Sequence, residues 1–112
     1  MLPKKNRLNL KEQQNRELFR KKITESDSIK YFADIANDNS FKVAVVVPTK
    51  VYNKAFLRNK LRRKIYQIIE KHLIKNLSIE LILLVYKQLE LSEEKLEQDI
   101  QEKLNVILKR FS

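Results

Sequence analysis

The sequence predicts an α+β fold: one domain over residues 1–112, a two-layer sandwich with elements in the order α, β, β, α, β, α. Two short runs rich in branched apolar residues, FKVAVVV and ELILLVYK, have the length and composition of buried strands. Between them lies a long amphipathic stretch with helical spacing, so the centre of the chain is a strand–helix–strand crossover. No internal repeat, low-complexity linker or change of composition marks a second domain, and a chain of this size can bury roughly two thirds of its unfolded surface.

The first helix is expected from Asn9, where an Asn cap followed by Glu12 forms a capping-box pattern, to about Lys22. Its apolar stripe is thin, with Leu18, Phe19 and Leu10. Ser28 to Ala36 alternates as a strand, placing Ile29, Tyr31, Ala33 and Ile35 on one face and Lys30, Phe32 and Asp34 on the other. NDNS at 37–40 is a turn, Phe41 to Val47 is a central strand, and Pro48 stops it. Asn53 caps a second helix through about Asn76, with Leu57, Leu61, Ile65, Ile68, Ile69 and Leu73 as its inner stripe. At 100° per residue, Asn59, Arg62, Arg63 and Tyr66 fall on one flank of that stripe and Lys60, Lys64 and Lys71 on the other. Glu80 to Lys87 is the last strand. Ser92 caps a third helix that opens on Glu93 and Glu94 and turns Leu96, Ile100, Leu104, Ile107 and Phe111 inward. Lys22 to Asp27 leaves room for a further short strand, with a pattern too weak to assign one.

Charge is distributed unevenly around a formal net of +10. From Asn39 to Ile69 there is no carboxylate, while Lys42, Lys50, Lys54, Arg58, Lys60, Arg62, Arg63 and Lys64 all lie there. A second basic block occupies residues 1–22, where Glu12 and Glu17 are the only acids. From Gln88 onward acids outnumber bases, as on a solvated structural helix. Uncompensated repulsion weakens a free fold, so the acid-free arginine block points to a polyanionic partner, a nucleic acid.

The same composition excludes much chemistry. Without cysteine there are no disulfides, thiolate metal sites or thiol nucleophiles, and without glycine there is no glycine-rich phosphate loop. The apolar run Leu81 to Tyr86 is too short for a bilayer, and the N-terminus lacks an apolar stretch of signal-peptide length, so a cytoplasmic protein is expected. His72, the only histidine, sits at a helix end beside the apolar stripe and is read as structural. Glu93, Glu97, Asp99 and Glu102 are read as a solvated face. No catalytic residue and no metal ligand is assigned to this chain, so a reactive group would have to come from a partner.

At RNKLRRKIY the chain resembles the arginine-rich helix of the bacterial ribonuclease P protein component, whose pattern is RN, two residues, a basic pair, two residues and Arg. Arg58, Asn59, Arg62 and Arg63 match it, and Tyr66 stands where the last arginine is usual. The likeness extends to the opening PKKNRL with Asn6 and Arg7, to KVAVVVPTK before the motif, and to ELILLVYK with the acidic-then-apolar final helix. The resemblance implies an α, β, β, β, α, β, α order and a left-handed strand–helix–strand crossover. It also implies the protein subunit of a ribonucleoprotein endonuclease that removes 5′ leaders from precursor tRNA, with the RNA subunit performing hydrolysis through bound Mg2+ and no cofactor on the protein alone.

Two binding surfaces follow from that resemblance. Asn6, Arg7, Arg58, Asn59, Lys60, Arg62 and Arg63 would face the catalytic RNA, where guanidinium groups suit phosphate because they stay charged and donate two hydrogen bonds. Gln14, Leu18, Lys30, Phe32 and Lys50 would line a cleft for the single-stranded leader, with Phe32 as the stacking residue. Gln14 and Leu18 replace aromatic residues usual there, and the usual basic pair after the central strand is reduced to Thr49 and Lys50. Phe19 lies at a different helical angle and is not given the role. The alternative is a ribosomal or other RNA-scaffolding protein. A DNA-binding regulator lacks support because no short turn joins two helices around a recognition helix, and a membrane-surface helix would expose the isoleucines that the strands here can cover.

Overall fold

The computed structural model describes residues 7–8, 17–36, 40–72, 78–89 and 92–111. Its strands are β1 (Lys22–Glu25), β2 (Ile29–Ile35), β3 (Lys42–Val46) and β4 (Ile79–Val85), and its helices are α1 (Ala55–His72) and α2 (Glu93–Phe111). A 3-10 helix over Glu17–Arg20 precedes β1. The sheet runs β1-β2-β4-β3, with β1–β2 and β2–β4 antiparallel and β3–β4 parallel, so α1 is the crossover that parallel neighbours require.

The two faces of the sheet are covered differently. Ile29, Tyr31 and Ala33 of β2, Val43 and Val45 of β3, and Leu81, Leu83 and Val85 of β4 pack with Ile65, Ile68 and Ile69 of α1 and Ile100, Leu104 and Ile107 of α2. The opposite face buries a smaller cluster, Phe32, Ala44 and Ile82, under Leu8 and Leu18. Both clusters draw on β4, one of two inner strands, whose residues Leu81, Ile82 and Leu83 are all fully buried. This explains its uninterrupted apolar run.

Several expected boundaries move, each for a local reason. The part of the first helix at residues 9–16 lies outside the described residues, as do Asn6, Gln14 and the turn residues 37–39. Its expected end at Lys22 is overturned. The Lys21 N–H closes the 3-10 turn onto the Leu18 carbonyl at 2.9 Å, and Lys22 already pairs with Phe32 as the start of β1. That strand is the short one for which the sequence left room. The second helix starts at Ala55, and the Lys54 carbonyl accepts the first bonds, from the Leu57 and Arg58 N–H groups, in place of Asn53 as cap. Its expected end at Asn76 falls outside the described residues. Ser92 does cap α2: its side-chain oxygen accepts from the Lys95 N–H at 3.4 Å and its carbonyl from the Leu96 N–H at 2.9 Å.

Two inner positions are corrected. Ile35, the last residue of β2, is 65% exposed. Leu57 is 37% exposed although its stripe partners Ile65, Ile68 and Ile69 are buried. A helix of 18 residues is about 27 Å long and the five-residue β3 about 17 Å, so α1 overhangs the strand it follows. The uncovered half is the one that carries the arginines.

Candidate nucleic-acid interface

The first turn of α1 contains no acid, whereas α2 opens on Glu93 and Glu94. A helix N-terminus carries a partial positive charge, so the arrangement of α1 adds cations to an already positive end and raises the local potential. Anions are drawn to such a place.

The arginines above it are held by neutral oxygens. Arg58 donates from Nη1 to the Tyr52 carbonyl at 2.9 Å, Arg62 donates to the Asn59 side-chain oxygen, and Arg63 donates from Nε to the Asn59 carbonyl at 3.4 Å. Among the described residues no salt bridge involves any of the three. Asn59 thus orients two guanidinium groups without cancelling their charge. Arg7, Asn59, Arg62, Arg63 and Tyr66 together line a concavity of about 550 Å³.

Arg7 reaches this place because residues 7–8 add to the free edge of β3. Arg7 forms a parallel bridge with Val43, and the Leu8 N–H donates to the Val43 carbonyl at 2.9 Å. Tyr66 completes the edge, its hydroxyl accepting the Val45 N–H at 3.1 Å. Tyr66, at the position where the resemblance led one to expect an arginine, therefore fastens the helix flank to the sheet and satisfies a strand-edge N–H.

On the other flank Lys64 and Lys71 have acid partners, and among the described residues no salt bridge involves Lys60. Lys64 pairs with Glu93 and Lys71 with Glu97, each at 3.0 Å, and His72 lies 3.3 Å from the same Glu97 oxygen. The Glu97 carboxyl is held below its ordinary value by the hydrogen bond from Lys71 first and that from His72 second. Both acids face the basic helix; Glu93 is 78% exposed, in keeping with the solvated face expected of it, while Glu97 is half-buried and engaged by two partners. Asp99 is also engaged, accepting from the Tyr31 hydroxyl at 3.2 Å. Burial, then the Asp99 charge, pushes that hydroxyl far above the ordinary phenol range. Lys60 is separated from the Arg7 concavity and lines a different groove with Tyr52, Leu57 and Lys64.

On the sheet face away from the helices, Leu18 and Phe32 come together, with Phe32 6% exposed. Phe19 meets the Phe32 ring edge to face, centroids 5.4 Å apart and planes at 66°, and is itself 37% exposed. The accessible aromatic surface here is that of Phe19, which sequence reasoning passed over. The angle of a regular α-helix was the wrong ruler for a 3-10 segment. Lys30 lies two residues from Phe32, its ammonium 4.8 Å from the centre of the Tyr86 ring. Register puts Lys30, Leu84 and Val46 in one row, and the chain leaves that row through Val47 and Pro48 to the exposed Lys50. Among the described residues no three of His, Asp or Glu are grouped to hold a metal ion, and no helix is long and apolar enough to cross a membrane.

A family model described as Ribonuclease P matches residues 2–111. The chain belongs to the Ribonuclease P family. Membership implies a protein subunit of an endoribonuclease that acts in tRNA processing, with the ribonuclease P RNA as its partner. Solved structures share the fold. The RNase P protein from Thermotoga maritima is 22% identical, with 95% of this chain and 97% of that one covered and a TM-score of 0.66. A Staphylococcus aureus RNase P protein mutant with defective mRNA degradation activity is 17% identical, with 91% and 87% covered and a TM-score of 0.75. No curated protein sequence matches the chain.

Proposed function

We propose that this family member binds the catalytic RNA of ribonuclease P through Arg7, Asn59, Arg62 and Arg63, and that the RNA subunit, with its own Mg2+, cleaves the 5′ leader from precursor tRNA. The observation that carries the reading is the contrast in partners: Arg62 and Arg63 are oriented by neutral oxygens, while Lys64 and Lys71 on the other flank of the same helix are matched to carboxylates. Charge that stays uncompensated on a rigid element is available to phosphate, where each contact releases counterions. Arg58 acts from behind, holding the loop at Tyr52. Asn6, outside the described residues, is assigned to the same contact, and Lys60 contributes on the adjacent flank.

The leader follows the opposite sheet face. Leu18 and Phe32 form its floor, Phe19 offers the stacking surface, and Lys30 and Lys50 supply charge along the row that ends at Val46. Gln14, outside the described residues, is assigned to the same role, and the protein works in the cytoplasm.

The test is reconstitution. The purified protein is expected to stimulate cleavage of a leader-bearing precursor tRNA by its cognate catalytic RNA at low magnesium and to cleave nothing alone. Cleavage by the protein without RNA, or no stimulation of the RNA, would overturn the reading.

A further inference from the structure

Phe56 is 64% exposed on the first turn of α1, in a stretch otherwise crowded with cations. Its i, i+4 and i, i+7 neighbours are Lys60 and Arg63, so the ring and both charges share one side of the helix. Beside them runs a groove of about 590 Å³ with an apolar floor that includes Tyr52, Leu57, Leu61 and Leu89. The floor is fixed in place: the Tyr52 hydroxyl accepts the Leu89 N–H at 2.8 Å, and its carbonyl is held by Arg58. Glu93 also lines the groove, but it is paired with Lys64, and among the described residues no salt bridge involves Lys60 or Arg63. Arg63 lines this groove and the Arg7 concavity alike, so the two share one cation.

We infer that Phe56 and the Tyr52–Leu57–Leu89 groove hold one unstacked base of the bound RNA, with Lys60 and Arg63 on the phosphates that flank it. The inference rests on the proposed RNA reading of the arginine flank and adds to it a site for a single extruded nucleotide. An aromatic face beside an apolar slot grips a base by its π-surface, and two uncompensated cations at the rim match the phosphates of the same nucleotide. An acidic protein segment would use the cations but not the exposed ring, which favours the nucleotide.

The chain contains no tryptophan, so Phe56→Trp introduces a single reporter at the groove. Titrated with the cognate catalytic RNA, its emission is expected to be quenched as a base stacks on the indole, while that of Asn105→Trp on the exposed side of α2 stays unchanged. Phe56→Ala, at a position too exposed to threaten folding, is expected to weaken RNA binding about tenfold with the slope of log affinity against log salt unchanged, the signature of a lost base contact. Lys60→Ala is expected to flatten that slope by about one unit. RNA that binds with normal affinity while Trp emission stays constant and Phe56→Ala is neutral would overturn the groove assignment and leave the arginine reading standing. RNA that fails to bind the parent protein would overturn both.

Discussion

The two flanks of α1 carry cations at similar density and have opposite fates. Lys64 and Lys71 meet Glu93 and Glu97 of α2, and their charge is matched within the molecule by pairs at its surface. Arg62 and Arg63 meet the side chain and carbonyl of Asn59, which fix their direction and leave their charge intact. Counting lysines and arginines would rank the flanks equally. What separates them is the partner, and a partner that orients without neutralising marks the flank meant for something outside the molecule.

The comparison breaks first under charge reversal. Arg62→Glu with Arg63→Glu is expected to weaken binding of the catalytic RNA about a hundredfold or more, since two charge-assisted contacts of about 1.5–3 kcal/mol each are lost and repulsion is added. The thermal midpoint should hardly move, because neither arginine carries a salt bridge among the described residues. A folded double variant that binds RNA normally would put both arginines on the solvated surface.

Phe32 and Phe19 sharpen the second surface. Phe32→Ala removes a buried ring and is expected to lower stability by about 3 kcal/mol, read by urea unfolding. Phe19→Ala should leave stability nearly intact and reduce the preference for leader-bearing over leaderless substrate about tenfold, read by competition binding. If the two exchange effects, the leader reading of this face has the rings in the wrong roles.

Tyr66→Phe is a smaller perturbation. It strips the Val45 N–H of its acceptor at the sheet edge and is expected to cost about 1 kcal/mol in unfolding free energy. RNA affinity should fall modestly at every salt concentration with the slope unchanged, because Tyr66 places the arginine flank without touching phosphate.

The smallest effect belongs to the paired lysines and to pH. The Glu97 carboxyl titrates below its ordinary 4.5 in the folded chain, so its contribution is complete above that pH and is lost as pH falls through the lower folded value. Glu97→Gln and the parent should therefore differ in thermal midpoint at neutral pH and converge in acid. Both groups are open to solvent, so the difference is slight.

Much of this was legible in the chain. β-Branched runs gave β3 and β4 to within a residue or two, and the 100° rule put Asn59, Arg62, Arg63 and Tyr66 on one flank, the four that share the Arg7 concavity. Other features follow from contacts that periodicity does not contain. KITE is an edge strand, half-exposed and bulged between Lys22 and Thr24, so it has no alternation to read. The fate of Lys64 and Lys71 depends on a helix about thirty residues away that happens to present acids. Tyr66 looked like a missing arginine until the Val45 N–H supplied its partner, and Phe19 became visible as a site residue only when the 3-10 turn set it against Phe32.

Salt dependence of binding to the catalytic RNA tests the division of α1 most directly. For Arg7, Arg62 and Arg63 replaced together by Ala, the slope of log affinity against log salt is predicted to flatten by about two units, as for three lost phosphate contacts; for Lys64 and Lys71 replaced together, it is predicted to stay as in the parent. Equal changes in the two variants, or no change in the first, would contradict the account.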